Sequence, residues 1–361
     1  MIHFHNLKVH LCRKESNESV HLGFQIPQEL KHQFLFKQGQ YVTLKFNIDH
    51  EEYRRSYSIV NAPSDQNNLL EILVKKIAGG RVSSYINDHI KEGDEVEVLV
   101  PQGHFYTHYH SSNCKTYVGI AAGSGISPVL SNVVEALYQE PQCKVFLFFS
   151  NKSNQDVIFK DKIKVLENQF KDRFKVIYLY SRAQYEEELF QGRITPEKLN
   201  QLLEHFDEIN IQDSTYFICG PTEMIKSLAQ FLREVKKVPS LMVMYEYYTP
   251  PDEGDDAEKS EEFKKIPNLE SFVTLIIDDD EYDIHLNSKK ESILDKAIKE
   301  NLPVPFACKG GVCCTCKAQV MEGEVFMEKN FALTEDEVSK GFVLTCQCHP
   351  ITNIVMLNYD V

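Results

Sequence analysis

The sequence predicts a multidomain chain of mixed class, β followed by α/β followed by α+β: an antiparallel β-barrel, a doubly wound parallel sheet, and a small C-terminal domain. Three observations predict it. The chain has 361 residues, enough for two or three separate cores. Short apolar or β-branched segments bounded by turn residues fill its first part, whereas strand-like and helix-like segments alternate in its second. A run from Pro250 to Asp256 then offers almost nothing to a core and separates both from a third, cysteine-rich part. The boundaries read 1–108, 109–248, an acidic linker over 249–268, and 269–361.

In the first part Tyr41–Phe46, Arg55–Val60, Leu69–Val74 and Glu95–Val100 read as strands at the spacing of an antiparallel barrel, with a helix near Val82–His89. In the second, Tyr117–Ala121 is an apolar strand followed by a glycine-rich turn and a helix over Pro128–Tyr138. Strands at Lys144–Phe149, Lys175–Tyr180 and Thr215–Ile218 alternate with helices at Lys160–Asn168, Pro196–His205 and Pro221–Val235, the rhythm of βαβ units. After the linker, Ser271–Ile277 and Glu281–Leu286 form a hairpin around three aspartates, and a helix over Ser292–Glu300 leads into the cysteine loop. There is no internal repeat.

The net charge is −14, and residues 251–361 carry 23 acidic and 11 basic side chains. A binder of phosphate backbones would show the opposite sign, so nucleic acid is a poor partner. An acidic domain can steer a basic face of a protein partner, or it can be simply a solvated surface. No apolar run reaches the roughly 18 residues of a membrane span, and the N-terminus lacks a secretory pattern. These features predict a cytoplasmic protein, where clustered cysteines point to metal rather than disulfides.

Cys308, Cys313 and Cys316 have the C-x4-C-x2-C spacing of a plant-type [2Fe–2S] centre, and Cys346 is the candidate fourth ligand. Two irons sharing two sulfides need four thiolates. A tight loop can supply three and a returning strand the last. Gly310 and Gly311 let the loop fold and aim amides at anionic sulfur. Cys314 and Cys348 fall outside the spacing and read as packed or spare thiols. The rival is zinc, but zinc loops usually pair two close C-x2-C sets, which this loop does not.

Further resemblances rest on ordered motifs. Arg55-Ser56-Tyr57-Ser58, Gly79-Gly80-Arg81-Val82-Ser83-Ser84-Tyr85-Ile86 and Pro101-Gln102-Gly103-His104-Phe105 resemble the R-x-Y-S, G-x-x-S-x-x-L and P-x-G-x-F segments of the ferredoxin–NADP+ reductase superfamily, with Ile86 in place of leucine. The resemblance implies bound flavin, FAD rather than FMN. Arg55 would clamp its pyrophosphate, Tyr57 cover the ring, and Ser58 hydrogen-bond near the reactive nitrogen. The amides of Gly79, Gly80, Arg81 and Val82, with Ser83, would hold a phosphate at a helix N-terminus. Each motif alone can be an ordinary strand or glycine turn.

Ala121–Pro128 contains Gly123-Ser124-Gly125 and ends in Pro128, a G-x-G-x-x-P turn after the first α/β strand. Its glycines permit close approach of a dinucleotide pyrophosphate, and proline is acceptable in a helix's first turn. Cys219-Gly220-Pro221 resembles the superfamily's second nucleotide mark, whose cysteine approaches the nicotinamide; a buried structural cysteine is the alternative. Tyr57, Ser58 and Cys219 are thus the candidate catalytic residues. After the second strand stand Ser150, Asn151 and Lys152 without a carboxylate before Asp156, and Ser181 and Arg182 end the third. This favours NADPH, with NADH the alternative, although Lys152 and Arg182 can equally be surface charges. In Tyr245-Glu246-Tyr247-Tyr248, where relatives place an acidic and an aromatic residue near the flavin, Tyr248 is the better-aligned aromatic.

Residues 271–361 look like a β-grasp ferredoxin. The whole order resembles oxygenase reductases that end in such a domain, which implies electron flow from NAD(P)H to FAD to [2Fe–2S] to a partner oxygenase. The resemblance points to a di-iron oxygenase that epoxidises a CoA-linked aromatic ring, in a multisubunit complex. The Glu246–Tyr248 segment and the acidic linker depart from the family pattern. A reductase for a Rieske dioxygenase or an alkane hydroxylase would carry the same motifs. A redox sensor or carrier without turnover is the alternative of another class.

Overall fold

The structure, a computed structural model, describes residues 3–65, 69–182, 187–251 and 261–360. The chain divides into two compact units. One comprises His5–Tyr53 and Tyr57–Tyr247; the other runs from Tyr248, with the short pieces at the N-terminus and at Arg54–Ser56.

The first sheet has six strands: β1 (Phe4–Ser16), β2 (Ser19–Gln25), β3 (Tyr41–Ile48), β4 (Glu51–Ser58), β5 (Leu69–Lys75) and, after helix α1 (Arg81–His89), β6 (Glu95–Leu99), in the order β4-β3-β6-β1-β2-β5. Just beyond β4, Ile59 bridges Ile72 of β5, so the two edge strands meet and the sheet closes. Leu7, Leu22, Phe24, Leu44, Ile72 and Ile86 fill the interior. Strands β1 and β2 have no counterpart in the sequence reading. Their His, Lys, Arg and Ser content hides a buried alternation carried by Leu7 and Val9.

The second sheet is parallel, in the order β11-β10-β7-β8-β9. It is built from β7 (Thr116–Ala122), α2 (Ile126–Gln139), β8 (Lys144–Asn151), α3 (Lys160–Gln169), β9 (Phe174–Tyr180), α4 (Pro196–His205), β10 (Thr215–Cys219), α5 (Thr222–Gln230) and β11 (Val243–Glu246). Separate apolar clusters cover its two faces, as a doubly wound sheet requires. The predicted helix over Pro221–Val235 is α-helical only to Gln230; Phe231–Val235 is a wider π turn.

Polar residues on α2 tie this sheet to the barrel. Ser131 Oγ donates to the Asn61 carbonyl at 2.7 Å, Asn132 Nδ2 to the Phe105 carbonyl at 2.8 Å, and the Ser64 N–H donates to Glu135 at 2.9 Å. Such buried, satisfied contacts hold the two halves of this unit in one relation.

The second unit contains α6 (Glu261–Lys265), β12 (Glu270–Ile277), β13 (Asp280–Asn287), α7 (Ile293–Lys299), β14 (Lys317–Glu322), β15 (Val325–Met327), α8 (Glu335–Ser339), β16 (Phe342–Leu344), β17 (Cys348–Pro350) and β18 (Ile354–Asn358). Five of these strands form a mixed sheet in the order β13-β12-β18-β14-β16. The predicted linker is shorter than its sequence suggests. Its middle, 252–260, lies outside the described residues. Helix α6 follows at once, and Phe263 is buried with its ring 4.7 Å from that of His349. A single aromatic among charges was enough to anchor the segment.

Candidate functional site

The cysteine loop lies between α7 and β14. Lys309 and Gly311 have φ of 54° and 74°, which turns the chain tightly between Cys308 and Cys313. The Gly310 N–H donates to Cys308 Sγ at 3.3 Å. The thiols associate in two pairs. The Cys313 thiol donates to Cys308, which with nearby backbone N–H groups holds Cys308 below the ordinary thiol range and raises Cys313. Cys316 is raised by its hydrogen bond with Cys346 and by burial. Among the described residues no three His, Cys, Asp or Glu side chains converge on one point as a single metal ion needs. Two pairs fit two bridged irons, each taking two thiolates, better than one tetrahedral zinc. Cys314 and Cys348 point elsewhere, donating to the Ala332 and Leu344 carbonyls at 3.6 and 3.1 Å.

The flavin motifs meet at two places. Helix α1 starts at Gly80 without a side-chain cap, and Gly79, at φ 74°, has open space where a Cβ would stand. The Gly80 N–H is taken by the Ile77 carbonyl at 2.9 Å, but the first-turn amides of α1 carry no side-chain cap, and this helix start fits a flavin phosphate. Ser83 has a different task from the one its motif suggests. Its hydroxyl accepts the Ile77 N–H at 3.1 Å and donates to the Gly80 carbonyl at 3.4 Å, bracing the turn from inside. Val82 packs into the barrel core, and Arg81 lies over Tyr53 with its guanidinium donating to the Tyr53 hydroxyl at 2.7 Å. On β4, Arg55 is exposed and donates to the Arg54 carbonyl at 2.7 Å, whereas Tyr57 packs on the barrel core.

Ser58 Oγ donates to Glu246 Oε2 at 2.8 Å. Glu246 ends the edge strand β11, where the register sets it beside Cys219 of β10. Burial raises its carboxyl to about 7, opposed by the Ser58 hydrogen bond. The sequence singles out Tyr248 as the aromatic at this point and, by resemblance, an acidic residue in the same segment, without naming Glu246 as a site residue. Tyr248 is 42% exposed and begins the other unit. The signal that could have found Glu246 is a carboxylate closing a strand beside the cysteine motif.

The dinucleotide motifs also come together. Gly123 has φ 54°, and Gly123–Gly125 form a 3-10 turn that runs into α2 with no side-chain cap. A Cβ on Gly125 would lie 2.3 Å from the Cys219 carbonyl oxygen and 2.7 Å from the Gly220 nitrogen. The two motifs are thus in direct contact, and glycine is required for it. Pro128 is buried in the first turn of α2, and Pro221 caps α5. Ser150 and Asn151 are buried at the end of β8. Ser181 and Arg182 N–H groups donate to the Asn151 and Lys152 carbonyls, both at 2.9 Å. Lys152 and Arg182 themselves are exposed. Lys75, absent from the sequence reading, ends β5 with its Nζ 3.9 Å from where a Cβ on Gly123 would be. Nothing in its neighbours marked it, because β5 and the G-x-G turn are far apart in the chain.

No described helix is long and apolar enough to cross a membrane. Residues 6–106 match the family model of the oxidoreductase FAD-binding domain, 120–230 that of the oxidoreductase NAD-binding domain, and 276–350 that of the 2Fe-2S iron-sulfur cluster binding domain. The chain is similar to one of the subunits of 1,2-phenylacetyl-CoA epoxidase from Escherichia coli (strain K12), with 35% identity covering 100% of this chain and 99% of that one. It is 26% identical to the ferredoxin reductase component of 3-ketosteroid-9-alpha-monooxygenase from Rhodococcus rhodochrous, covering 98% and 96% of the two. In fold it is similar to phthalate dioxygenase reductase, at a TM-score of 0.59, 21% identity and 98% coverage of both chains.

Proposed function

Because the chain belongs to the family of phenylacetyl-CoA epoxidase reductases, NAD(P)H oxidoreductases with FAD and a [2Fe–2S] cluster that serve an oxygenase, we propose that its acceptor is the di-iron phenylacetyl-CoA epoxidase and its donor NADPH. The observation that carries the acceptor is the 35% identity over the full length of both chains, against 26% for a monooxygenase reductase of the same architecture. NADPH is supported by the end of the parallel sheet, where the Arg182 N–H donates to the Lys152 carbonyl and the first acid to follow β8 in the chain, Asp156, accepts the Ser153 hydroxyl at 2.6 Å, while Lys152 itself pairs with Glu18 at 3.9 Å.

A flavin held here would supply hydride acceptance and one-electron release, and an iron–sulfur cluster one-electron transfer. The protein's own residues position and insulate. The amides of Arg81 and Val82 at the uncapped N-terminus of α1 would hold the flavin phosphate. Gly123–Gly125 and the N-terminus of α2 would receive the dinucleotide pyrophosphate, and Lys75 supplies the adjacent cation. Cys219 and Pro221 border the ring-binding region. Ser58 orients Glu246, whose buried carboxyl can hold a proton near neutrality. Cys308 with Cys313, and Cys316 with Cys346, would ligate the two irons.

The Glu246 carboxyl has a pH signature. Its folded value, about 7, lies above the ordinary 4.5 of an unfolded chain. Its contribution to stability is therefore complete below the ordinary range and is lost as pH rises through about 7. Glu246→Gln cannot ionise, so between about pH 5.5 and pH 8.5 its Tm is expected to fall less than that of the parent protein. Parallel curves would show that Glu246 does not titrate in this window.

The function is tested by reconstitution. The purified protein, given NADPH, is combined with the oxygenase components of a phenylacetyl-CoA epoxidase and, separately, with a Rieske dioxygenase. Epoxidation of phenylacetyl-CoA at a rate at least about 10-fold above the Rieske reaction, with NADPH preferred over NADH, is expected. The reverse order of either pair overturns that half of the proposal.

A further inference from the structure

Strand β11 is short for the position it must hold. It has four residues and lies at the edge of its sheet, paired among the described strands with β10 alone. Such a strand has little of its own to fix its register, and a one-residue slip would exchange the faces of Glu246 and Tyr245. Its back face is held by Arg233. One guanidinium nitrogen donates to the Val243 carbonyl at 3.0 Å and to the Ser240 carbonyl at 3.4 Å, and the other donates to the Tyr245 hydroxyl at 3.4 Å. The guanidinium also lies over the Tyr245 ring, 5.0 Å from its centroid, and Tyr245 packs edge-on against Tyr247 at 5.4 Å. The side chain leaves the helix from the π turn Phe231–Val235, where the Lys236 N–H reaches back to the Phe231 carbonyl. Widened turns of this kind re-aim a side chain and gather at functional sites.

We propose that Arg233 is the positioning residue for the Ser58–Glu246 pair, clamping β11 from behind so that the strand's end presents its carboxyl to Ser58. The proposal rests on the reading of that pair as the proton-holding element of the flavin site. Around the carboxyl stand Ser58 of β4 and, across the register, Cys219 of β10. Arg233 lies on the opposite face of β11 and acts through the strand, not by direct contact. A planar fork that holds two carbonyls and stacks on a ring has no equivalent in lysine, which keeps the charge but can keep only one of those contacts.

The test uses the full-length holoenzyme and rapid-mixing measurement of flavin reduction by NADPH across the neutral pH range. Arg233→Met is expected to slow reduction about 10-fold, with the affinity for NADPH within about 2-fold of the parent, and to move the apparent pKa of the rate profile. Arg233→Lys should recover less than half of the lost rate. In a Glu246→Gln background, Arg233→Met should add no further loss, because both changes act on one unit. A profile that Glu246→Gln abolishes but Arg233→Met leaves in place, even with a lowered Tm, overturns the assignment of Arg233 alone. So does a loss that multiplies with that of Glu246→Gln. A profile that Glu246→Gln leaves unchanged overturns the reading of the pair, and the proposal with it.

Discussion

Cys346→Ser is expected to stop electron delivery while leaving hydride uptake intact. Cys346 sits in a 3-10 turn after β16, where the Thr345 N–H and hydroxyl both donate to the Cys316 carbonyl, at 3.2 and 3.0 Å, and the Tyr359 hydroxyl donates to Thr345 at 2.8 Å. That network turns the Cys346 thiol toward Cys316. Serine keeps the turn but replaces a soft thiolate with a hard, protonated oxygen, a poor iron ligand. Reduction of the oxygenase, or of cytochrome c through the cluster, should fall by about 100-fold or more. Ferricyanide reduction, which the flavin can support alone, should stay within about 2-fold. Acid-labile sulfide should fall in parallel. Cys314→Ser and Cys348→Ala are the controls, since both thiols donate to backbone carbonyls. Loss of sulfide in Cys348→Ala with retention in Cys346→Ser would mean that the fourth ligand has been misassigned.

Gly125→Ala is the second large effect, and it falls on the other end of the electron path. Its Cβ would stand 2.3 Å from the Cys219 oxygen and 2.5 Å from its carbonyl carbon. Both are backbone atoms of Cys219 at the end of β10, so no side chain can rotate away. Relief requires the G-x-G turn or the Cys219–Pro221 turn to move by about 1 Å, at about 1–3 kcal/mol. Displacements of that size at a site aligning two rings can cost about 100-fold in rate. The kcat/KM for NADPH should fall by that order, while flavin content and the cluster spectrum persist. Gly79→Ala differs in kind. It meets no atom within 4 Å, and its cost is the strain of φ 74° alone. Equal losses in the two variants would show that packing against Cys219 is not what Gly125 is for.

Some elements hid from the sequence for identifiable reasons. The hairpin of β1 and β2 is rich in His, Lys, Arg and Ser, and its buried positions do not stand out until the barrel closes around them. Helix α6 looked like linker because one buried phenylalanine, Phe263, was diluted among charges. Ser83 matched its motif, yet motif identity could not say whether the hydroxyl faced a phosphate or the Ile77 amide. The π turn that aims Arg233 has no distinctive residue to mark it.

The order of modules, and the chemistry that each can bear, were legible in the residues alone. Spacings such as those of Cys308, Cys313 and Cys316, or of Gly123 and Gly125, are local, and the geometry of a loop only a few residues long limits what they can build. Which distant residues share a site was settled by folding and by nothing earlier. Ser58 meets Glu246 across 188 positions, Gly125 meets Cys219, and Lys75 comes to Gly123. No periodicity records such meetings, because they result from barrel closure, sheet order and the packing of α2, which act on the chain as a whole.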